Sequence, residues 1–339
     1  MRRIPIRPRH PVTGPALLLV LAGLLVACAG GPEHEPAPDW VHGDPAADYP
    51  ENAWLTGSGR AARLAEARNL ARAELARRFR VTVVAETRDE EREVDGELSR
   101  TIDHGVRTRT DEVLTGVRVA EVWREPDNGA YHALAVLSRE RAATDLRESI
   151  RELDRATETH LEQAATADDG LAVVAALTRA LEAQRTRHEL QPRLRILDPD
   201  GRGIPPRHDR AELAEERRAS LATLRVTAEV AGDDDGSLQR ALSGALANLG
   251  LDVVAAGTAD YRMVVEPELT DRGRRDGWYW VEGEVVLRIV ETDGDTRSES
   301  RHALRASATD AATARQRALN RTAELFREVL PGLLWGEDD

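Results

Sequence analysis

The sequence contains no lysine: its 47 basic residues are all arginine, set against 60 acids. A substitution so uniform reflects coding bias or salt adaptation more than a functional surface. Cysteine occurs once, so no internal disulfide contributes to the fold. Aromatic residues make up only 4% of the chain, which leaves valine, leucine and alanine to fill the core. Positive charge is in deficit, with a formal net charge of −13, and that argues against nucleic acid as a partner. The nine histidines are scattered without metal-ligand spacing. There is no G-x-S-x-G elbow, no H-E-x-x-H helix and no P-loop. Acids are too numerous for any pair to be singled out as catalytic. The reading is a non-enzyme with no cofactor and no metal.

What the chain does have begins at its N-terminus. Arg2, Arg3, Arg7 and Arg9 form a basic segment without acids, and Ala16 to Ala27 is almost wholly apolar. That run falls short of the roughly 20 residues a membrane-spanning helix needs. It ends in Leu25-Val26-Ala27-Cys28, which resembles the lipobox of bacterial lipoproteins. The resemblance implies a signal peptide over 1–27 and lipidation of the Cys28 thiol. Two or three acyl chains, at about 0.8 kcal/mol per buried methylene, would make a lasting anchor. Ala29 follows the acceptor where Asp would favour the inner membrane, so the expected location is the periplasmic face of the outer membrane. Cleavage would leave 312 residues, room for two domains, and remove four arginines, taking the charge to −17. Residues 28–50, with Pro32, Pro36, Pro38 and Pro45, read as a flexible tether.

Residues 51–145 read as a first α+β domain. A strand at Ala53–Thr56 leads into Gly57-Ser58-Gly59, which is expected to turn the chain into a helix from Arg60 to Arg78. Ala61, Leu64, Ala67, Ala71, Leu75 and Phe79 supply that helix with an apolar stripe. The β-branched run Val81-Thr82-Val83-Val84 predicts a strand, and Leu98 to Val113 a second helix. Val117–Glu125 and Ala130–Leu137 flank Pro126-Asp127-Asn128-Gly129, a hairpin signal, and a charged helix starts near Arg139. The pattern of Pro38-Asp39-Trp40-Val41, Leu55 to Gly59, the alanines 67, 71 and 73, and Val81-Thr82-Val83 resembles the LPP-twenty lipoprotein family. That family includes outer-membrane lipoproteins of flagellar assembly, so the resemblance implies a structural or assembly role and carries over no catalytic residue. Gly57 to Ala62 also imitates the dinucleotide fingerprint G-x-G-x-x-A, with Glu86 as the acid. The chain does not continue as alternating βαβ, so tight backbone geometry is the better account of the glycines.

Residues 146–210 predict a helical connector broken at Asp168-Asp169-Gly170, then a turn-rich linker over Asp198 to Pro206. Residues 211–335 predict a second α+β domain: a strand at Leu224–Val230, a helix over Ser237–Leu249 capped by Gly250, strands at Asp252–Val254, Tyr261–Val265, Tyr279–Val290 and Arg297–Ala306, and a last helix ended by Pro331. This order, with Gly250, Val253, Val254, Asp260 and Tyr261, is similar to the periplasmic domain of penicillin-binding-protein activators and curli-secretion lipoproteins. The fold class is therefore α+β: two small mixed α/β sandwich domains joined by a helical connector, after a signal peptide and a tether.

One surface motif stands out. Trp278 and Trp280 would share one face of a strand, with Tyr279 on the other, beside Arg272, Arg274 and Arg275. Such a pair could stack on a glycan or a peptide, which makes Trp278, Tyr279 and Trp280 the candidate partner contacts, although core packing or sheet-edge cover accounts for them more simply. The three arginines read as a solvated turn. The function these readings favour is a binding or assembly module of the cell envelope, with the membrane as one partner through Cys28 and an envelope protein as another. Assembly into a homo-oligomer is compatible with them. The alternative is a regulator that docks on a peptidoglycan synthase and activates it.

Overall fold

The computed structural model describes residues 36–91 and 116–336, which form two compact units. Cys28, the preceding signal-like segment and the helix expected at Leu98–Val113 lie outside the described residues.

The first unit is built on a three-stranded sheet of β1 (Trp54–Ala61), β2 (Arg118–Arg124) and β3 (Tyr131–Ser138), in the order β1-β3-β2. β2 and β3 form the expected antiparallel hairpin, closing at Arg124 opposite Tyr131. Asn128 Oδ1 accepts the Ala130 amide at 2.9 Å, and Gly129 takes a φ of 72°, so the Asn-Gly pair does what its chemistry favours. The glycine segment departs from expectation. Gly57 and Gly59 sit inside β1, neither at positive φ, and helix α1 (Leu64–Glu91) starts only after the strand has ended. A Cβ on Gly57 would lie 2.4 Å from Leu75 N, and one on Gly59 2.4 Å from Ala71 N. The glycines let a helix backbone lie directly on a strand.

The strand expected at Val81–Val84 is helical, part of α1. Ala67, Ala71, Leu75, Phe79 and Val83 are buried at intervals of four, so one apolar stripe runs through the β-branched run. Valine costs a helix well under 1 kcal/mol, less than burying the Val83 side chain returns. Val81, off the stripe, is 58% exposed.

Residues 38–50 are not a tether. Asp39–His42 form a 3-10 helix, and Trp40, 5% exposed, packs with Ala46 on Leu134 and Val136 of β3. Its indole Nε1 donates to Glu121 Oε2 at 2.5 Å. The Tyr49 and Trp54 rings meet edge to face at 5.2 Å, with the Arg118 guanidinium 5.6 Å from each.

The second unit contains a helical hairpin, α2 (Arg139–Thr166) and α3 (Gly170–Leu197), broken where the sequence places the break. Asp169 caps α3 by accepting the Ala172 amide at 2.7 Å. Helix α4 (Arg210–Ala222), capped by Asp209, leads to a five-stranded sheet. Its strands are β4 (Arg225–Val230), β5 (Asp252–Val253), β6 (Tyr261–Arg275), β7 (Trp278–Glu291) and β8 (Thr296–Ala308), in the order β5-β4-β6-β7-β8. The first three run parallel, the last three antiparallel. Helices α5 (Ser237–Asn248) and α6 (Ala311–Trp335) bury Leu242, Leu246, Phe326 and Leu330 against Val265, Val285 and Leu287. Leu171 and Val174 of α3 belong to the same core, so this core draws on residues ahead of 211. Pro331 does not end α6. The helix runs on to Trp335, because Leu334 and Trp335 are buried, and stops at Gly336, where φ is 68°. The two units together are the mixed α/β architecture that the patterning predicts.

Tyr261, first in β6, joins the sheet to the hairpin. Its hydroxyl donates to Asp169, whose other oxygen lies 2.6 Å from Arg297 Nη1. Burial first, then the bond to this carboxylate, pushes the phenol up from 10.0 to about 12. A raised folded-state value means that this contribution to stability is complete below pH 10 and is lost as the pH rises toward 12. No lysine titrates in that window. Absorbance titration should show a tyrosinate step near pH 12 that Tyr261→Phe abolishes, together with part of the loss of stability across the window. An unchanged titration in the variant would contradict this placement.

Candidate functional site

β6 and β7 are the longest strands, and their shared end carries the aromatic motif. The turn is Asp276-Gly277, with φ of 51° and 85°, between Arg275 and Trp278, which pair across it. Positive φ at both central residues is what a two-residue type I′ hairpin requires, and Asp-Gly is among its preferred sequences. That signal was legible in the sequence but hidden by the neighbouring arginines, which read as an open solvated turn.

Trp278 is 45% exposed and lies beyond the last residue of β8, whose Ala308 pairs with Tyr279. Trp280 shares its face but is covered: the Arg305 guanidinium stacks 4.0 Å from its ring, and its Nε1 donates to Arg275 O at 3.4 Å. Tyr279 turns to the other face and packs against the hydrophobic core. The three aromatics therefore do not form one surface; Trp278 alone is presented. Around them Arg305 and Arg272 lie 3.0 and 3.7 Å from Glu282. Arg274 sits 5.9 Å from the Tyr279 ring, and no described acid pairs with Arg274 or Arg275. The end of the hairpin thus offers one exposed indole on the same face as Arg275, with Arg274 over the Tyr279 ring on the other face. Tryptophan and arginine are among the residue types that dominate protein interfaces.

Away from the tip, the face of the sheet opposite α5 and α6 is a lattice of ion pairs. Arg288 bridges Glu266 (2.9 Å) and Glu299 (2.7 Å), and Arg301 joins Glu299 to Glu284. Two carboxylates beside one guanidinium raise the Arg288 pKa and lower that of Glu299. Asp260 of the Asp-Tyr signature holds the entry to β4, accepting Arg225 Nη2 at 2.6 Å and its amide at 3.1 Å; that arginine keeps the carboxyl below its usual range. These contacts position strands. Among the described residues no three His, Cys, Asp or Glu side chains converge as a metal site, and no helix is long and apolar enough to cross a membrane. The imitation dinucleotide loop is not a phosphate cradle, since the body of α1 fills the space over Gly57 and Gly59.

The N-terminal part of the described chain is similar to lipoproteins of the cell envelope. More particularly, residues 38–138 match the LPP20 lipoprotein family, the one its N-terminal motifs resemble. The match ends at β3, so the C-terminal resemblance to synthase activators lies outside it. No curated protein matches the chain. Among solved structures, a secreted protein of Helicobacter pylori superposes with a TM-score of 0.46 at 14% identity, over 83% of this chain and 98% of that one. A minor lipoprotein of Acinetobacter baumannii gives 0.26 at 17% identity, over 33% and 91%. Rare lipoprotein B of Shewanella oneidensis gives 0.23 at 12%, over 33% and 92%.

Proposed function

We propose that the protein is a non-enzymatic binding or assembly module, lipid-anchored through Cys28 to the periplasmic face of the outer membrane. Its partner is a protein of the envelope, such as a component of a flagellar or secretion structure. The observation that carries the binding role is the end of the β6–β7 hairpin. There an exposed indole and the Arg275 guanidinium, which pairs with no acid among the described residues, stand at the end of a strand pair closed by a type I′ turn. Strand pairing that reaches Arg275 and Trp278 sets the backbone of such an anchor before a partner arrives, which lowers the ordering cost of association.

Two measurements test the reading. Metabolic labelling with a fatty-acid analogue should mark the wild-type chain and leave Cys28→Ser unlabelled; a labelled Cys28→Ser protein would remove the anchor. A photo-crosslinking amino acid at position 278 of the full-length protein, irradiated in intact cells, should give a discrete adduct that is missing when the probe replaces Arg218 on exposed α4. An adduct of twice the chain mass would identify the partner as a second copy. No adduct at 278 would overturn the tip as the contact.

A further inference from the structure

The sheet of the second unit is uneven along β6. Its parallel neighbour β4 ends at Val230, opposite Val265, and the last backbone bond on that side runs from Ala231 N to Val265 O at 2.9 Å. β6 continues to Arg275, paired with β7 along its other edge. From Pro267 to Asp271, then, the β4-side edge has no strand partner among the described residues. Beside that edge lies a cleft of about 500 Å³. Leu238, Leu269, Val281 and Leu319 give it an apolar lining.

The loop after β4 brings Asp233, Asp234 and Asp235 to the same cleft, Asp271 joins them from β6, and Arg315 is the basic residue of the lining. Asp233 and Asp235 accept the Gln239 and Ser237 amides, at 2.7 and 2.9 Å. The Ser237 bonds hold the Asp235 carboxyl below its ordinary value, so it stays charged. Four carboxylates against one guanidinium leave the lining negative. A free edge offers main-chain donors and acceptors, an apolar cleft beside it takes every second side chain, and a negative rim selects for positive charge. No one of these features would suffice alone. Together they describe an extended polypeptide.

We propose that the free edge of β6 accepts an added strand from a partner protein: a short extended segment with apolar side chains on one face and arginine or lysine between them. Pro267 has no N–H to donate to such a strand and guards the start of the edge. The backbone groups of the odd residues of β6 face the β4 side, as those of Val265 do, so the first donor on the free edge is Leu269. Only a few residues can then pair, and the contact is weak and reversible. This inference rests on the binding-module reading but not on the hairpin tip.

The test uses the full-length lipoprotein in phosphatidylcholine nanodiscs and a fluorescein-labelled heptapeptide of alternating arginine and leucine. Anisotropy should show saturable binding. Ala312→Trp, an exposed change that fills the cleft, should weaken it about tenfold or more, equivalent to ~1.4 kcal/mol. Asp234→Asn with Asp271→Asn should weaken it severalfold, whereas Glu215→Gln with Glu216→Gln on exposed α4 removes the same charge and should change nothing. Proline at the central leucine should abolish binding, because it breaks the ladder while keeping the charge. Trp278→Ala should bind the peptide normally, which separates this site from the tip. The proposal fails if the peptide does not bind saturably, if both double variants lose affinity equally, or if the proline peptide binds as well as its parent.

Discussion

Arg187→Met is expected to cost the second unit about 3–5 kcal/mol, because it strands the Asp154 carboxylate inside the helical hairpin. Arg187 is 3% exposed and Asp154 6%, and Arg187 Nε donates to Asp154 Oδ1 at 2.7 Å. Gln184 Nε2 reaches the same oxygen at 3.3 Å and Thr157 Oγ1 at 2.9 Å. The other arm of the guanidinium donates to the carbonyls of Ile204 and Pro205, both at 2.9 Å. Gln191 adds a bond to Ile204 O at 2.8 Å. One arginine therefore ties α2 to α3 and straps the Asp198–Pro206 linker onto both. Methionine keeps most of the volume and none of the donors, so the loss is electrostatic rather than a cavity. Adding Asp154→Leu removes the stranded charge, and the double variant should be more stable than Arg187→Met alone. The two carbonyls still lack donors, so recovery should be partial. Urea unfolding followed by circular dichroism measures all three. An Arg187→Met variant within 1 kcal/mol of wild type would mean that water reaches Asp154.

Such a network could not be read from the sequence, and the reason is general to what the patterning missed. Signals confined to a few neighbouring residues came through: the Asn128-Gly129 hairpin, the break at Asp169-Gly170, the cap at Gly250, whose φ is 93°, and the alternation that builds β4 and β7. The family resemblance came through for the same reason, over residues 38–138. What failed depended on partners far along the chain. Trp40 looked like part of a proline-rich tether because its carboxylate acceptor, Glu121, lies 81 residues away. Val81–Val84 looked like a strand because four residues of β-propensity were weighed without the stripe begun at Ala67. Pro331 looked like a stop because the burial of Trp335 is tertiary. At the candidate site, alternation separated Trp278 and Trp280 from Tyr279. It could not show that Arg305, from another strand, covers one tryptophan and leaves the other exposed.

Gly57 and Gly59 are the sharpest case, since the residues were singled out correctly for the wrong geometry, and their substitution should have the next largest effect. A turn glycine at positive φ would resist any side chain on backbone strain alone. These two lie in regular strand, where alanine is sterically free as far as the local chain is concerned and, by restricting the unfolded state, would stabilise by about 0.4–1 kcal/mol. What forbids alanine is the helix. A Cβ on Gly57 would also meet Ala71 O at 2.7 Å, and one on Gly59 would meet Ala67 O at 2.5 Å. All of these are backbone atoms, so no rotamer can relieve the clash and α1 must move away from the sheet. Gly57→Ala and Gly59→Ala are each expected to cost about 3 kcal/mol, the upper end of ordinary overpacking. One outward displacement of α1 relieves both clashes, so the double variant should cost less than the two singles added together. Sub-additivity is the signature of a shared close approach, whereas two independent strained turns would add. Thermal unfolding of the three variants decides between them, and NAD, NADP, FAD and ATP should leave the wild-type midpoint where it is. A nucleotide bound there at 100 times its dissociation constant would raise stability by roughly 2.7 kcal/mol. Such a rise, or a neutral Gly59→Ala, would show that α1 does not rest on β1 as closely as these contacts require.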